Sequence, residues 1–311
     1  MTSLSDADES VHATGSEPDW REAWYFDFFD PRSRLAGFGY AGVHPNQQIG
    51  DVIFALWRGD VLLARFTRWD FNIPRDIGED RLGFGPLCFE PRRPFRDWSM
   101  FFDDGACRVD LAFEAIHPAY SWADSETALA TTNSHHYEQQ GRYTGSVRVA
   151  GIEERIDAVG TRDHAWGWGA RAGIRRWLWT SAQFGADLAF NTFQVGLGDG
   201  RDVLFGYLYQ GDRNVFLRGC RSLTRYAGRG NAPAGFDLAL DTRAGARLEA
   251  SVQVVNAFDI SHQERNKQGF HFFCASEFLC NGRRGHGYTN IFWRGRALRP
   301  GDWTVACASA T

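Results

Sequence analysis

The groups able to do chemistry crowd into one mid-chain stretch. Gly160-Thr161-Arg162-Asp163-His164-Ala165-Trp166-Gly167-Trp168-Gly169 is followed by Arg171 and by Arg175-Arg176-Trp177-Leu178-Trp179. One acid, one imidazole, four indoles and four guanidiniums are gathered there. A carboxyl group beside indole rings has a poorly hydrated charged form, so its pKa is expected to rise until it holds a proton near neutral pH. That suits proton delivery to an apolar substrate. Asp163 would be the donor, and His164 would fix its orientation or act as the conjugate base. Trp166, Trp168, Trp177 and Trp179 would form apolar walls and steady a developing cation, each ring face contributing about 1 to 2 kcal/mol when desolvated. A purely structural reading stands beside this one. In it Asp163 caps a turn or pairs with Arg162 or Arg171, and the indoles fill core.

Further candidates lie upstream. In His136-Tyr137-Glu138-Gln139-Gln140-Gly141, ahead of a strand, Tyr137 or Glu138 would face inward beside Asp163; the alternative is a strand end with a surface acid. The stretch from His117 to Asn133 has no clean periodicity and holds Trp122. It is long for a connection, and such loops cover a ligand site or merely cross the surface. Trp98, in the aromatic run Phe95 to Phe102, joins Trp122, Tyr137 and Arg171 as an expected substrate contact.

The elements that must carry these groups read as strands. Aromatic residues make up 15% of the chain, with 12 Trp, 25 Phe and 34 Gly, and glycines between aromatic runs punctuate hairpins. Val52 to Trp57 and Val61 to Phe66 flank Arg58-Gly59-Asp60. Phe270 to Leu279 and Arg283 to Trp293 flank Asn281-Gly282, which favours a type I′ turn. Trp24 to Asp30 predicts a first strand that Pro31 stops. Helical signals are nearly absent, and strands at this spacing indicate barrels or sandwiches. The expectation is an all-β chain of two packed domains, residues 20–170 and 171–311, after a disordered tail at 1–19 that lacks an apolar core.

Several function classes lose support. A net charge of -4 and a pI near 6.1 advertise no cationic surface for nucleic acid. GxSxG, HExxH and Walker sequences are absent. Gly196-Leu197-Gly198-Asp199-Gly200 reads as a turn between strands rather than a dinucleotide loop. His135 and His136 would point to opposite sides of a strand, so that pair is not expected to share an ion. No metal or other cofactor is expected. Six scattered cysteines read as buried thiols in a reducing compartment. With no signal-like or membrane-spanning run, a cytoplasmic protein is expected, peripheral membrane contact being left open.

The segment Arg162-Asp163-His164-Ala165-Trp166-Gly167 resembles the Arg-Asp-His-Ser-Trp-Gly signature of the two-domain lipocalin-like superfamily that includes carotenoid 1,2-hydratases and fungal decalin Diels-Alder cyclases. His136 to Arg142 and Gly282 to Tyr288 are similar to its uncharacterised bacterial branch, and with Phe26 to Asp30 the resemblance extends along most of the chain. Ala165 stands where serine is usual, and Trp168-Gly169-Ala170-Arg171 replaces the commoner Pro-Arg-Asp-Trp. The resemblance implies two lipocalin-like β-barrel or curved-sheet domains and an apolar pocket for a polyene, terpenoid or polyketide. It also implies chemistry without a cofactor. The function expected from residues and resemblance together is a hydratase, dehydratase, cyclase or isomerase acting on a hydrophobic alkene. A pericyclic cyclase working through pocket shape, and a non-catalytic carrier of hydrophobic small molecules, remain as alternatives.

Overall fold

The computed structural model describes residues 4–73, 77–78, 80–124, 133–168, 173–263, 269–295 and 299–307. The chain forms two compact units, Met1–Ala123 with Thr132–Gly169 and Asp124–Thr131 with Ala170–Thr311. Strand dominates both, so the all-β expectation holds.

The first unit is a curled antiparallel sheet. Its strands are β1 (Arg21–Asp30), β2 (Leu35–His44), β3 (Ile49–Arg58), β4 (Val61–Asn72), β5 (Leu82–Phe84), β6 (Leu87–Arg93), β7 (Asp97–Asp103), β8 (Cys107–Ala115), β9 (Tyr120–Ser121), β10 (Asn133–Val149) and β11 (Ile152–Trp168). The order runs β4-β3-β2-β1-β11-β10-β8-β7-β6-β5, with β9 beside β10. On β7 and β8 burial alternates residue by residue, as expected of strands wet on one side. On β1 and β3 nearly every residue is buried, so both faces are covered and any polar group there must find a partner or lose its charge. Trp24, Phe26 and Phe28 point into a core with Phe54, Phe89, Trp98 and Phe102; Tyr25, Asp27 and Phe29 point the other way.

The second unit contains β12 (Ile174–Gln183), β13 (Leu188–Leu197), β14 (Asp202–Gln210), β15 (Arg213–Tyr226), β16 (Pro233–Thr242), β17 (Arg247–Asp259), β18 (Phe270–Cys280), β19 (Arg283–Trp293) and β20 (Asp302–Ala306). β14 pairs with β15, which closes β12 to β19 into a barrel, with β20 added beside β15. Asn281 at φ 50° and Gly282 at φ 78° form the β18–β19 turn, the pair of positive angles that a type I′ turn demands.

The mid-chain motif forms the second half of β11, which lies between β1 and β10 at the middle of the first sheet. Gly160 allows this, because a Cβ there would sit 1.9 Å from the Asp27 carbonyl oxygen. Residues 4–19, expected as a loose tail, are held against this sheet. A 3-10 turn at Asp6–Glu9 delivers Glu9 to a position only 4% exposed. Of the loop His117 to Asn133, residues 125–132 lie outside the described residues; Tyr120–Ser121 forms β9, Trp122–Asp124 a short turn, and Asn133 begins β10. Among the described residues no helix is long and apolar enough to cross a membrane.

Candidate functional site

Neighbouring residues on a strand face opposite sides, and this divides the motif in two. Arg162, His164 and Trp166 share the core side of β11, while Asp163 and Ala165 look out from the other. Asp163 is registered with Tyr25 on β1 and Glu138 on β10, and Thr161, two residues before it, with Asp27 and Gln140. His164 is registered with Trp24 and Tyr137. The structure therefore brings Asp163 and Glu138 together and separates both from His164. His164 is not placed to orient Asp163.

The Asp163 face is a cluster of acids among rings. His136 Nε2 lies 3.2 Å from Glu138 Oε1 and 3.9 Å from Asp163 Oδ2. Trp122 stacks on His136 with centroids 3.7 Å apart. Asp27, which sequence reasoning did not single out, is the most deeply set member. Its Oδ1 accepts the Thr161 amide at 2.9 Å. Tyr25, Phe38 and Trp57 form a run of ring contacts beside it, at 5.9 and 5.8 Å. Burial pushes the Asp27 carboxyl well above its ordinary range; the Thr161 amide and Tyr25 oppose this, and the charges of Asp163 and Glu138 add to it. Burial thus favours the protonated form of Asp27. The Asp163 side chain is 19% exposed, whereas those of Asp27 and Glu138 are sealed, so Asp163 is the member of the trio with access.

The opposite face holds a second network, centred on Glu9. Its Oε1 accepts from Arg162 at 2.7 Å and from the Tyr137 hydroxyl at 2.5 Å, and its Oε2 accepts from Trp98 Nε1 at 2.6 Å. Gln139 Oε1 accepts from the same guanidinium at 2.7 and 3.1 Å. Burial would raise the Glu9 pKa, but the Arg162 charge and the three donors outweigh it and hold Glu9 below the ordinary value. Beside this network Glu22 Oε1 meets His12 Nδ1 at 2.7 Å and His164 Nε2 at 2.8 Å. Burial would also raise Glu22, yet the hydrogen bonds and charges of His12 and His164 bring it below its ordinary value.

The other expected contacts scatter. Trp166 stacks on His12 at 3.9 Å, and Trp98 and Tyr137 bind Glu9, so these three belong to the core side. Of the expected indoles whose side chains are described in the first unit, Trp122 is the one at the acid cluster. Trp177 and Trp179 are on β12 in the second unit, where Trp177 Nε1 donates to Asn290 Oδ1 at 2.6 Å and its ring stacks on Phe292 at 4.3 Å. The Trp168 side chain and Arg171 lie outside the described residues. A groove of about 420 Å³ on the second unit is lined by Arg221, Asp237, Arg247 and Glu249. Those arginines are already paired with acids, and the groove holds none of the acid cluster.

The signal for Asp27 was present in Phe26-Asp27-Phe28, an acid inside an aromatic strand. No spacing pattern pointed to Glu9, His12 or Glu22, because their partners are far away in sequence.

The architecture has solved counterparts. A putative AttH from Nitrosomonas europaea is 14% identical with a TM-score of 0.71, over 91% of this chain and 95% of that one. CghA, solved with Sch210972, is 14% identical with a TM-score of 0.64, over 97% and 95%. Kievitone hydratase from Nectria haematococca is 12% identical with a TM-score of 0.64, over 94% and 96%. Such likeness establishes the fold alone, an all-β architecture that this chain shares with these three structures. No curated protein matches the chain. The family described as "Domain of unknown function (DUF7064)" matches residues 5–294, a span that includes the N-terminal segment, the acid cluster and most of the barrel. The chain belongs to the DUF7064 family.

Proposed function

We propose that this protein is an acid-base enzyme of the hydratase or cyclase type, acting on a hydrophobic alkene of terpenoid or polyketide character. The observation that carries the reading is the sealed Asp27 set with Asp163, Glu138 and His136 on one ring-lined sheet face, where burial favours its protonated form. A fold shared with a hydratase supports it.

The chemistry is economical. A proton held on Asp27 reaches the alkene by way of Asp163, the accessible carboxyl of the trio. The new C–H bond leaves a cation at the neighbouring carbon, and the rings of Tyr25 and Trp122 would steady it. Water attacks that cation and returns its surplus proton to the cluster, giving net hydration; the reverse sequence is dehydration. If an internal alkene traps the cation instead, a ring closes, and the cation this creates loses a neighbouring C–H proton to the cluster to give a cyclised isomer. His136 between Glu138 and Asp163 provides the return path. Positioned acids and bases of this kind contribute about 10²- to 10⁴-fold in rate.

The test is incubation of the protein with a panel of isoprenoid and polyketide alkenes in D2O, read by mass spectrometry for added water or carbon-bound deuterium. Once a substrate is found, Asp27→Asn and Asp163→Asn should each lower kcat by about a hundredfold or more. Turnover within about threefold of wild type in both variants would reject the acid-base reading.

A further inference from the structure

The sheet face turned away from Asp163 carries a constellation that this chemistry leaves unused. His12 comes from the N-terminal segment, Glu22 from β1 and His164 from β11, and one ligand atom from each lies within 4.8 Å of the others. Glu22 Oε1 receives two ring nitrogens, His12 Nδ1 at 2.7 Å and His164 Nε2 at 2.8 Å. His164 Nδ1 stands 3.0 Å from the Asp8 carbonyl oxygen, which can only accept, so that nitrogen carries the ring hydrogen. In the neutral imidazole Nε2 then turns a lone pair toward a carboxylate oxygen. Two electron-rich atoms in contact call for a positive charge between them, which a proton on Nε2 supplies in the hydrogen-bonded state that holds Glu22 low and which a metal ion would supply in its place.

We propose that His12, Glu22 and His164 form a Zn²⁺ site. Two imidazoles and one carboxylate are a donor set zinc takes while keeping a fourth position for water. The Asp8 carbonyl on His164 Nδ1 is the outer hydrogen bond that fixes the tautomer of a ligating histidine. His12 Nε2 is buried without a hydrogen bond and lies 3.8 Å from Asp8 Oδ1, so the Asp8 carboxylate is poised to do the same for His12. Trp166 stacked on His12 at 3.9 Å and Trp24 on His164 at 5.1 Å hold both rings. Zinc bonds of about 2.0 to 2.1 Å in a tetrahedron separate ligand atoms by about 3.3 Å, so each nitrogen–oxygen gap opens by about half an ångström. The ion would clamp residues 8–12 to β1 and β11 beside the Glu9–Arg162 pair. It lies across the sheet from Asp27, so this site and the acid chemistry stand or fall separately.

The experiment is calorimetric titration of the chelator-treated full-length protein with Zn²⁺ at neutral pH, together with thermal melts and Co²⁺ absorption spectra. Wild type should take up one equivalent with a submicromolar Kd, melt several degrees higher with Zn²⁺, and give the intense visible bands of low-coordinate Co²⁺. His12→Ala removes a partly exposed ligand, so it should stay folded by circular dichroism yet weaken binding about a hundredfold or more, as should Glu22→Gln. His262→Ala, on the second unit, should bind like wild type. If wild type takes up no stoichiometric zinc, or His12→Ala binds as tightly as wild type, the three residues are a hydrogen-bonded triad only and the proposal is overturned.

Discussion

Removing the Glu9 carboxylate probes how firmly the N-terminal segment is built into the first unit. Glu9→Ala strips the partner from an Arg162 that is 1% exposed, takes the acceptor from Trp98 Nε1, and costs the Tyr137 hydroxyl one of its bonds. Breaking a buried pair by deleting one member costs about 3 to 5 kcal/mol, because the surviving charge is left in a poor solvent. For a unit of this size about 3 °C is lost per kcal/mol, so its melting transition should fall by about 9 to 15 °C. Calorimetry of Glu9→Ala, and of Glu9→Leu and Arg162→Met singly and together, is the assay. The double variant should lose less than the two singles together, since it leaves no charge unpaired. The pH dependence has a definite sign. Glu9 sits below its ordinary value of 4.5 in the folded state, so its contribution is present above that pH and fades as pH drops through the folded value. The gap between wild type and Glu9→Ala should therefore narrow below about pH 4.5. A fall in Tm under about 2 °C, or strict additivity in the double variant, would refute the idea that Glu9 anchors this segment.

Asp27→Asn should have the opposite pH signature. The folded pKa lies above the ordinary 3.8, so wild type loses stability as pH rises from 3.8 toward the folded value. The variant should gain on it by up to about 1.4 kcal/mol per pH unit across that window, measured by urea unfolding at a series of pH values. Gly160→Ala should destabilise by about 1 to 3 kcal/mol or more and separate β1 from β11, since its Cβ would fall 1.9 Å from the Asp27 carbonyl oxygen; a melt within 1 or so degrees of wild type would contradict this. Asn281→Val places a β-branched residue at φ 50° and should cost about 1 to 2 kcal/mol in the barrel, read by the same denaturation assay.

The class of fold was legible because aromatic runs and turn pairs such as Asn281-Gly282 report on their own neighbourhoods. β11 was harder to see. Its second half is written in Gly, Arg, Asp, His and Trp rather than in alternating apolar residues, since its partners are hydrogen-bonded side chains on β1, β10 and the N-terminal segment. The same alternation explains the scattered site. A motif read along the chain merges Asp163 with His164, whereas the pleat sends them to opposite faces. Residues 4–19 have the polar composition of a loose tail, yet Glu9 and His12 anchor them through Arg162, Trp98 and Glu22, and no local pattern announces contacts that distant. Asp27 could have been inferred, because an acid flanked by Phe26 and Phe28 in a strand must be paired or protonated.

The measurement that reaches the central claim most directly is a carboxyl ¹³C NMR titration of aspartate-labelled protein, with Asp27→Asn to assign the resonance. Asp27 should keep the chemical shift of a protonated acid at neutral pH, and that signal should vanish in the variant. A resonance for Asp27 that titrates at or below the ordinary aspartate value would leave the cluster without its stored proton and contradict the account.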